Sequence, residues 1–195
     1  FIMESKFKII SKNNIYTGFF KMNEITLKFK KFDGNWSKEV RREIFGGAQV
    51  SAVLPYDPLK KEIILIKQFR PGTISQNCDN YLDEIVAGII DPGENPENTA
   101  IRECAEETGC NVKKIIPIQS YFPAPGSSES FYHLFVAEIE AFDGERIMGL
   151  ETENENILAK SYKISEVKEK LAKGKILNGL TLIALQWFFL NFGKF

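Results

Sequence analysis

The spacing of apolar residues changes along the chain, and each change predicts a different element. Gln49–Leu54 and Glu62–Phe69 are dense, β-branched runs separated by Pro55-Tyr56-Asp57-Pro58. This predicts two buried strands joined by a turn at the prolines. Tyr81–Ala87 predicts a further strand leading straight into Gly88, Gln119–Phe122 the end of another, and Phe131–Ile139 and Ile157–Ile164 two more. Before residue 46, Lys6–Ser11, Tyr16–Lys21 and Ile25–Lys31 have strand-like patterns, with turns expected at Asn13-Asn14 and Asp33-Gly34-Asn35. Helical spacing marks Pro96–Thr108 and Leu180–Leu190, and Ser165 is expected to cap a short helix ending near Gly174. The segment Glu145–Asn156 reads as a long acidic loop. Strands interleaved with a few helices predict a mixed sheet covered by helices, of the α+β or α/β class. Gly46-Gly47 divide the chain into a small β-rich unit, 1–46, and a larger domain, 47–195.

The helix over Pro96–Thr108 carries the most chemistry. Asn95 is placed as its N-cap, Pro96 suits the first helical position, and Gly109 is placed to end it in a left-handed conformation. At ~100° per residue, Ile101, Cys104, Ala105 and Thr108 are expected to face inward, with Glu103, Glu106 and Glu107 on the other side. Arg102 precedes Glu106 by four and can pair with it. Glu103 and Glu107 then remain as two hard oxygen ligands one turn apart. A divalent cation such as Mg²⁺ takes one or two such carboxylates and completes its shell with water and phosphate. An ordinary solvated acidic face is the plain alternative that the helix alone leaves open.

Composition narrows the classes. Lys and Arg total 25 against 26 acids, so generic nucleic-acid binding has no electrostatic support. Three cysteines without a CxxC spacing argue against a disulfide framework and fit a reducing cytoplasm. The opening residues turn polar at once, so no signal peptide is expected. Leu180–Leu190 is too short to span a bilayer and reads as a buried helix or a subunit contact, so no membrane partner is expected. His133 is the single histidine, and with no positioned serine or cysteine nucleophile it makes no triad. Arg70 ends a strand just before Pro71-Gly72, a position common for surface charge but also suited to a bidentate grip on a diphosphate. Glu151, Glu153 and Glu155 alternate in the acidic loop. They either are simply solvated or bring one acid to a metal site as a base.

Gly88, five residues, Glu94, seven residues, then Arg102-Glu103-Cys104-Ala105-Glu106-Glu107-Thr108-Gly109-Cys110 resembles the Nudix box, Gly-x5-Glu-x7-Arg-Glu-U-x-Glu-Glu-x-Gly-U. The departure is that both U positions, normally bulky aliphatics, hold cysteine. Flanking segments resemble bacterial ADP-ribose pyrophosphatases: Thr17–Phe20, Glu39–Phe45, Leu54–Pro58, Gln68-Phe69-Arg70, Val86-Ala87-Gly88, Ala124-Pro125-Gly126, Gly149–Ile157 and Ile183–Trp187.

The resemblance implies a Nudix α/β/α sandwich with a mixed sheet and a small N-terminal β-rich subdomain. It implies Mg²⁺-dependent hydrolysis of ADP-ribose to AMP and ribose 5-phosphate, with more than one ion per site and Mn²⁺ as a substitute. It also implies a homodimer that exchanges its N-terminal units. By position, the Ala87 carbonyl, Glu103, Glu107 and Glu155 match metal contacts, and Glu153 matches the catalytic base. Arg70 matches the diphosphate clamp. Phe19, Phe20, Arg42 and Glu43 match an adenosine site built partly from the second subunit, and Gly126 and Glu129 match the loop at the ribose end. Two departures stand out: Gly47 replaces an arginine of some relatives, and the loop before Glu129 is one residue shorter. The box leaves open a GDP-mannose or UDP-glucose type of substrate. A non-catalytic ADP-ribose sensor would be expected to lose box glutamates, and all are present.

Overall fold

The computed structural model describes residues 5–192, the side chain of Glu153 excepted. The chain forms two compact units. One runs to Ala48 and takes in Phe122–Phe131; the other comprises Gln49–Tyr121 and the chain from Tyr132 onward.

The first unit is an antiparallel sheet of β1 (Phe7–Thr17), β2 (Lys21–Phe29) and β3 (Val40–Gly46), in that order. The turn expected at Asn13-Asn14 is instead interior to β1, where these residues pair with Glu24 and Asn23. Irregularities between Ile9 and Ser11 and between Asn14 and Tyr16 absorb the misfit and keep the strand paired. The chain reverses at Gly18, whose N–H donates to the Phe20 carbonyl at 2.9 Å. A Cβ at Gly18 would lie 2.5 Å from the Tyr16 hydroxyl, so a larger residue here would displace the exposed Tyr16 ring. Segment 122–131 joins β3 through Phe45 N–H to Ser127 O (2.8 Å) and Glu129 N–H to Phe45 O (3.0 Å).

The second unit holds β4 (Gln49–Asp57), β5 (Glu62–Phe69), β6 (Tyr81–Glu84), β7 (Val86–Ile89), β8 (Lys114–Tyr121), β9 (Phe131–Glu138), β10 (Glu145–Met148) and β11 (Ile157–Lys163). Its sheet runs β10-β11-β5-β4-β9-β8, with β6 on β5 and β7 on β4. Three helices accompany it: α1 (Pro96–Thr108), α2 (Ile164–Ala172) and α3 (Gly179–Asn191). Alternate residues of the central strands enter two different cores. Val53, Ile64, Ile66 and Val86 pack with Ala100 and Cys104 of α1. Ala52, Leu54, Ile63, Leu65 and Ile85 pack with Val167 of α2 and Ala184, Leu185 and Phe188 of α3. Successive strand residues point to opposite faces, so helices cover both sides of the sheet. That makes an α/β/α sandwich, and it explains why β4 and β5 read as unbroken apolar runs rather than alternating ones.

Several boundaries differ from the sequence expectation. β4 continues through Pro55 and Tyr56, and the turn lies at 58–61. Asp57 organises it, accepting from Leu59 N–H (2.8 Å) and Lys60 N–H (2.9 Å) while its second oxygen accepts from Ala141 N–H (2.8 Å). The strand expected over Tyr81–Ala87 breaks at Ile85, where the chain changes partner from β5 to β4. Ile85 N–H, thereby released from the ladder, donates to the buried Thr181 hydroxyl of α3 at 3.0 Å. Part of the expected acidic loop is strand β10, paired with β11. Helix α2 starts at Ile164, one residue before Ser165, and Lys163 N–H donates to Glu166 at 2.8 Å. Gly174, at φ 64°, follows its end. Among the described residues no helix is long and apolar enough to cross a membrane.

Candidate active site

Helix α1 begins and ends where its residues predict. The Asn95 side chain accepts from Asn98 N–H at 2.8 Å, and Gly109, at φ 71°, donates its N–H to Ala105 O at 2.9 Å. Its inward face differs from expectation. Ala100, Cys104, Glu107 and Thr108 are buried, while Ile101 and Ala105 are exposed. The helix is turned so that small side chains meet the sheet, and this carries Glu107 inside with Cys104. The two cysteines in aliphatic positions of the box are both buried in this core.

Glu107 is only 2 % exposed and accepts a single long bond, from Ala87 N–H at 3.3 Å. Burial, then the neighbouring carboxylates of Glu103 and Glu155, push its carboxyl up to about 9. Burial also raises Glu103, against the pull of Arg102. Gly88 makes this arrangement sterically possible, because a Cβ there would sit 1.7 Å from a Glu103 carboxylate oxygen.

Arg102 ties the remaining acids. It donates Nε and Nη2 to the two oxygens of Glu94, both at 3.0 Å, and Nη1 to Glu103 (2.8 Å) and Glu106 (2.9 Å). Arg102, with the Thr99 hydroxyl at 2.7 Å, holds the Glu94 carboxyl down to about 2. The loop after Gly88 is thereby clasped to the helix, and Glu106 is engaged as its spacing predicts.

Glu155 enters from the segment before β11. Its N–H donates to Leu150 O (3.2 Å), and its side chain accepts from Leu150 N–H (3.3 Å). Gly149, at φ 101°, lets the Glu155 side chain approach within 2.8 Å of where a Cβ would be. Glu153 closes the 3-10 turn Glu151–Glu153, and its side chain lies outside the described residues.

Arg70 stands at the end of β5 with its N–H on Asn80 O at 2.8 Å. Thr73 bonds the Arg70 carbonyl and accepts from the Asn80 amide, both at 2.7 Å, which closes the loop between them. Its guanidinium grips Glu84 with Nε at 3.1 Å from both carboxylate oxygens and Nη2 at 2.7 Å. Burial opposes the charge on Arg70, but Glu84, followed by Glu107 and Glu155, raises it above its ordinary value. Glu84 is absent from the sequence-derived site. Its signal was an acid, next to Asp83, inside the apolar run from Leu82 to Val86; Glu84 shares the buried face of β6 with Leu82, where a charge has no use without a partner.

Ala87, Glu103, Glu107, Glu155 and Arg70 thus share one electrostatic neighbourhood in the second unit. Among the described residues no three carboxylate, thiol or imidazole side chains gather into a preformed metal cage. The donor set still fits a hard divalent cation. It is all oxygen, two members are desolvated and mutually repelled, and Mg²⁺ needs only one or two carboxylates beside water and phosphate.

The other expected residues lie in the first unit. Phe19 is 87 % exposed and meets Phe20 edge-on at 4.8 Å, and Phe20 packs on Phe45 at 4.8 Å. Arg42 and Glu43 are exposed on β3, with Arg42 Nη1 bonded to Arg41 O at 2.8 Å. Glu129 pairs with Lys12 at 3.1 Å, and Gly126 lies in an open turn. Gly47 has a packing reason, since a Cβ there would meet Ser130 N at 2.1 Å. His133 bonds the Ser120 hydroxyl at 2.9 Å, and burial lowers its pKa.

A family profile for the NUDIX domain matches residues 47–179. The chain is 36 % identical over 180 residues to the ADP-ribose pyrophosphatase of Escherichia coli K12, covering 92 % of this chain and 86 % of that one. It is 35 % identical to the ADP-ribose pyrophosphatase of Haemophilus influenzae, over 96 % of this chain and 88 % of the other. It is 34 % identical to the GDP-mannose pyrophosphatase of Cronobacter sakazakii, over 93 % and 91 %. A solved structure described as an ADP compounds hydrolase superposes with a TM-score of 0.69 at 19 % identity, over 95 % of this chain and 94 % of that one, which establishes the shared fold.

Proposed function

Because the chain belongs to the NUDIX family, we propose that it hydrolyses the diphosphate of ADP-ribose to AMP and ribose 5-phosphate with Mg²⁺. The observation that carries this reading is the buried Glu107, repelled by the charges of Glu103 and Glu155 and, among the described residues, ion-paired with no basic side chain. A charge this costly to bury is retained where a cation comes to meet it.

Each residue then has a task. Glu103 and Glu107, with the Ala87 carbonyl and Glu155, hold the divalent ions. When bound, these ions neutralise phosphate charge and lower the pKa of water to the range where a carboxylate is an adequate base. Glu153 accepts that water's proton, and the turn Glu151–Glu153 fixes where its backbone sits. Arg70 offers the free edge of its guanidinium to a diphosphate oxygen. Phe19 and Phe20 offer exposed rings for stacking a base, and Arg42 and Glu43 offer polar contacts to the nucleoside. Gly126 and Glu129 line the terminal-ribose end.

The assembly we propose is a homodimer with exchanged N-terminal units. In support, Phe7 and Ile9 of β1 stand opposite Phe29 and Leu27 of β2, making an apolar strip whose two phenylalanines and Ile9 are exposed. Three free cysteines among the described residues support a reducing, cytoplasmic setting.

The likeness to a GDP-mannose pyrophosphatase favours a second reading in which the nucleoside is guanosine. A panel of ADP-ribose, GDP-mannose and UDP-glucose with Mg²⁺, scored for the nucleoside monophosphate released, decides between them. AMP from ADP-ribose is expected, and preferential GMP or UMP would overturn the assignment.

A further inference from the structure

Arg70 is a cation set beside an acid cluster that must itself remain open to cations. Its side chain is 41 % exposed and has room to move. Glu107 and Glu155 both act on its charge. Without a restraint, a flexible guanidinium would settle onto these carboxylates and satisfy them as an internal substitute for a divalent ion. The restraint is a carboxylate on the neighbouring strand. Glu84, at the end of β6 and 3 % exposed, engages Nε and Nη2 and leaves Nη1 as the free end. β6 is paired to β5 with Ile66 opposite Glu84 and Phe69 opposite Tyr81, so the two residues are fixed to neighbouring strands. The Arg70 backbone is anchored separately through Asn80 and Thr73, so rotation of the side chain is the remaining freedom.

We infer that Glu84 is a positioning residue whose buried carboxylate holds the Arg70 guanidinium away from Glu107 and Glu155, keeping those acids free for a divalent cation. This rests on the reading of Glu103, Glu107 and Glu155 as cation ligands. It adds that a fourth, non-ligating acid sets how tightly the site binds the ion before any substrate arrives. The physical basis is competition. Charge-assisted forks to a fully buried carboxylate are stronger than contacts to one that water or an ion can reach. The arginine therefore stays on Glu84.

The test is direct Mn²⁺ binding to the full chain without substrate, followed by the electron paramagnetic resonance signal of free Mn²⁺. Glu84→Gln is expected to weaken binding about tenfold, as the freed arginine takes the acids. Adding Arg70→Met to Glu84→Gln is expected to restore binding to within about twofold of wild type, because the competitor is gone. A merely structural role for Glu84 would not be rescued by deleting the arginine. Should Glu84→Gln fail to fold in thermal melts, Glu84→Asp makes the same comparison. Its shorter arm loosens the fork while keeping the charge, for an about threefold loss reversed by Arg70→Met. Wild-type Mn²⁺ affinity in the single variant, or no recovery in the double, overturns the inference. Glu107→Gln separates this from the underlying reading. If that variant binds Mn²⁺ normally, the ligand assignment itself fails; if it loses binding while Glu84→Gln does not, only the role of Glu84 fails.

Discussion

A single glycine decides where the Glu103 carboxylate of α1 can lie. Gly88 carries no unusual backbone angle. Its value is the space that lets the Glu103 carboxylate lie against the β7 backbone. Gly88→Ala would push aside the far end of a flexible side chain, so the fold should survive while the ligand moves. We expect a melting temperature within a few degrees of wild type and a kcat/KM lower by about 100-fold, as for a misplaced catalytic group. A large loss of stability with activity retained would show that the glycine serves packing alone. Glu107 gives a second prediction, on pH. Its carboxyl is raised in the folded state, so the metal-free folded protein binds the proton more tightly than the unfolded chain does. Nothing is lost at pH 4, and stability falls as pH rises from the unfolded value of 4.5 through the folded value of about 9. Metal-free protein should therefore melt ~5 °C lower at pH 9 than at pH 6. Glu107→Gln, or saturating Mg²⁺, should remove that difference. A flat profile in the metal-free wild type would contradict the burial argument.

Elements show where sequence suffices and where packing decides. The limits of α1 were legible because Asn95, Pro96 and Gly109 are local signals whose effect does not depend on the rest of the fold. Its inward face was not. Spacing alone favoured Ile101, and only the sheet beneath, with Ala87 N–H awaiting an acceptor, turns Glu107 inside instead. The break at Ile85 was equally hidden, because Leu82, Ile85 and Val86 read as one apolar strand. The partner change depends on β4 and β5, and its compensation comes from Thr181, 96 residues away. The glutamates proposed as metal ligands stood out in the box spacing, whereas Glu84 did not, since its contact exists only opposite Arg70. Thr181→Val tests the strand switch. It keeps the shape of the side chain but leaves the buried Ile85 N–H without an acceptor, at a cost of ~2 kcal/mol. Denaturant unfolding should show that loss with an unchanged m value, and a loss under ~0.5 kcal/mol would mean the contact is incidental.

At the scale of the molecule, the expected site residues fall into two sets. Arg70, Ala87, Glu103, Glu107, Glu153 and Glu155 belong to the second unit, while Phe19, Phe20, Arg42, Glu43, Gly126 and Glu129 belong to the first. Charge divides the same way. Residues 1–48 and 122–131 together carry 10 Lys and Arg against 6 acids, which leaves 15 against 20 for the remainder. On the proposed function, the basic unit would take the nucleotide and the acidic one the cations, and the two need not come from one chain. Exchange in a homodimer makes a definite prediction. Arg42→Ala damages the first unit and Glu103→Gln the second, so each variant alone should have little activity. If the two halves of a site come from different subunits, mixing the variants under conditions that reassort subunits gives heterodimers with one intact site and one doubly damaged site. About a quarter of all sites would then be wild type, half the dimers being mixed with half their sites restored. If each chain builds its own site, every site in the mixture keeps one lesion and activity stays at the level of the single variants. Light scattering on the same samples should report a dimer throughout, so recovery to about a quarter of wild-type turnover would be due to exchanged halves and not to reassociation of damaged monomers.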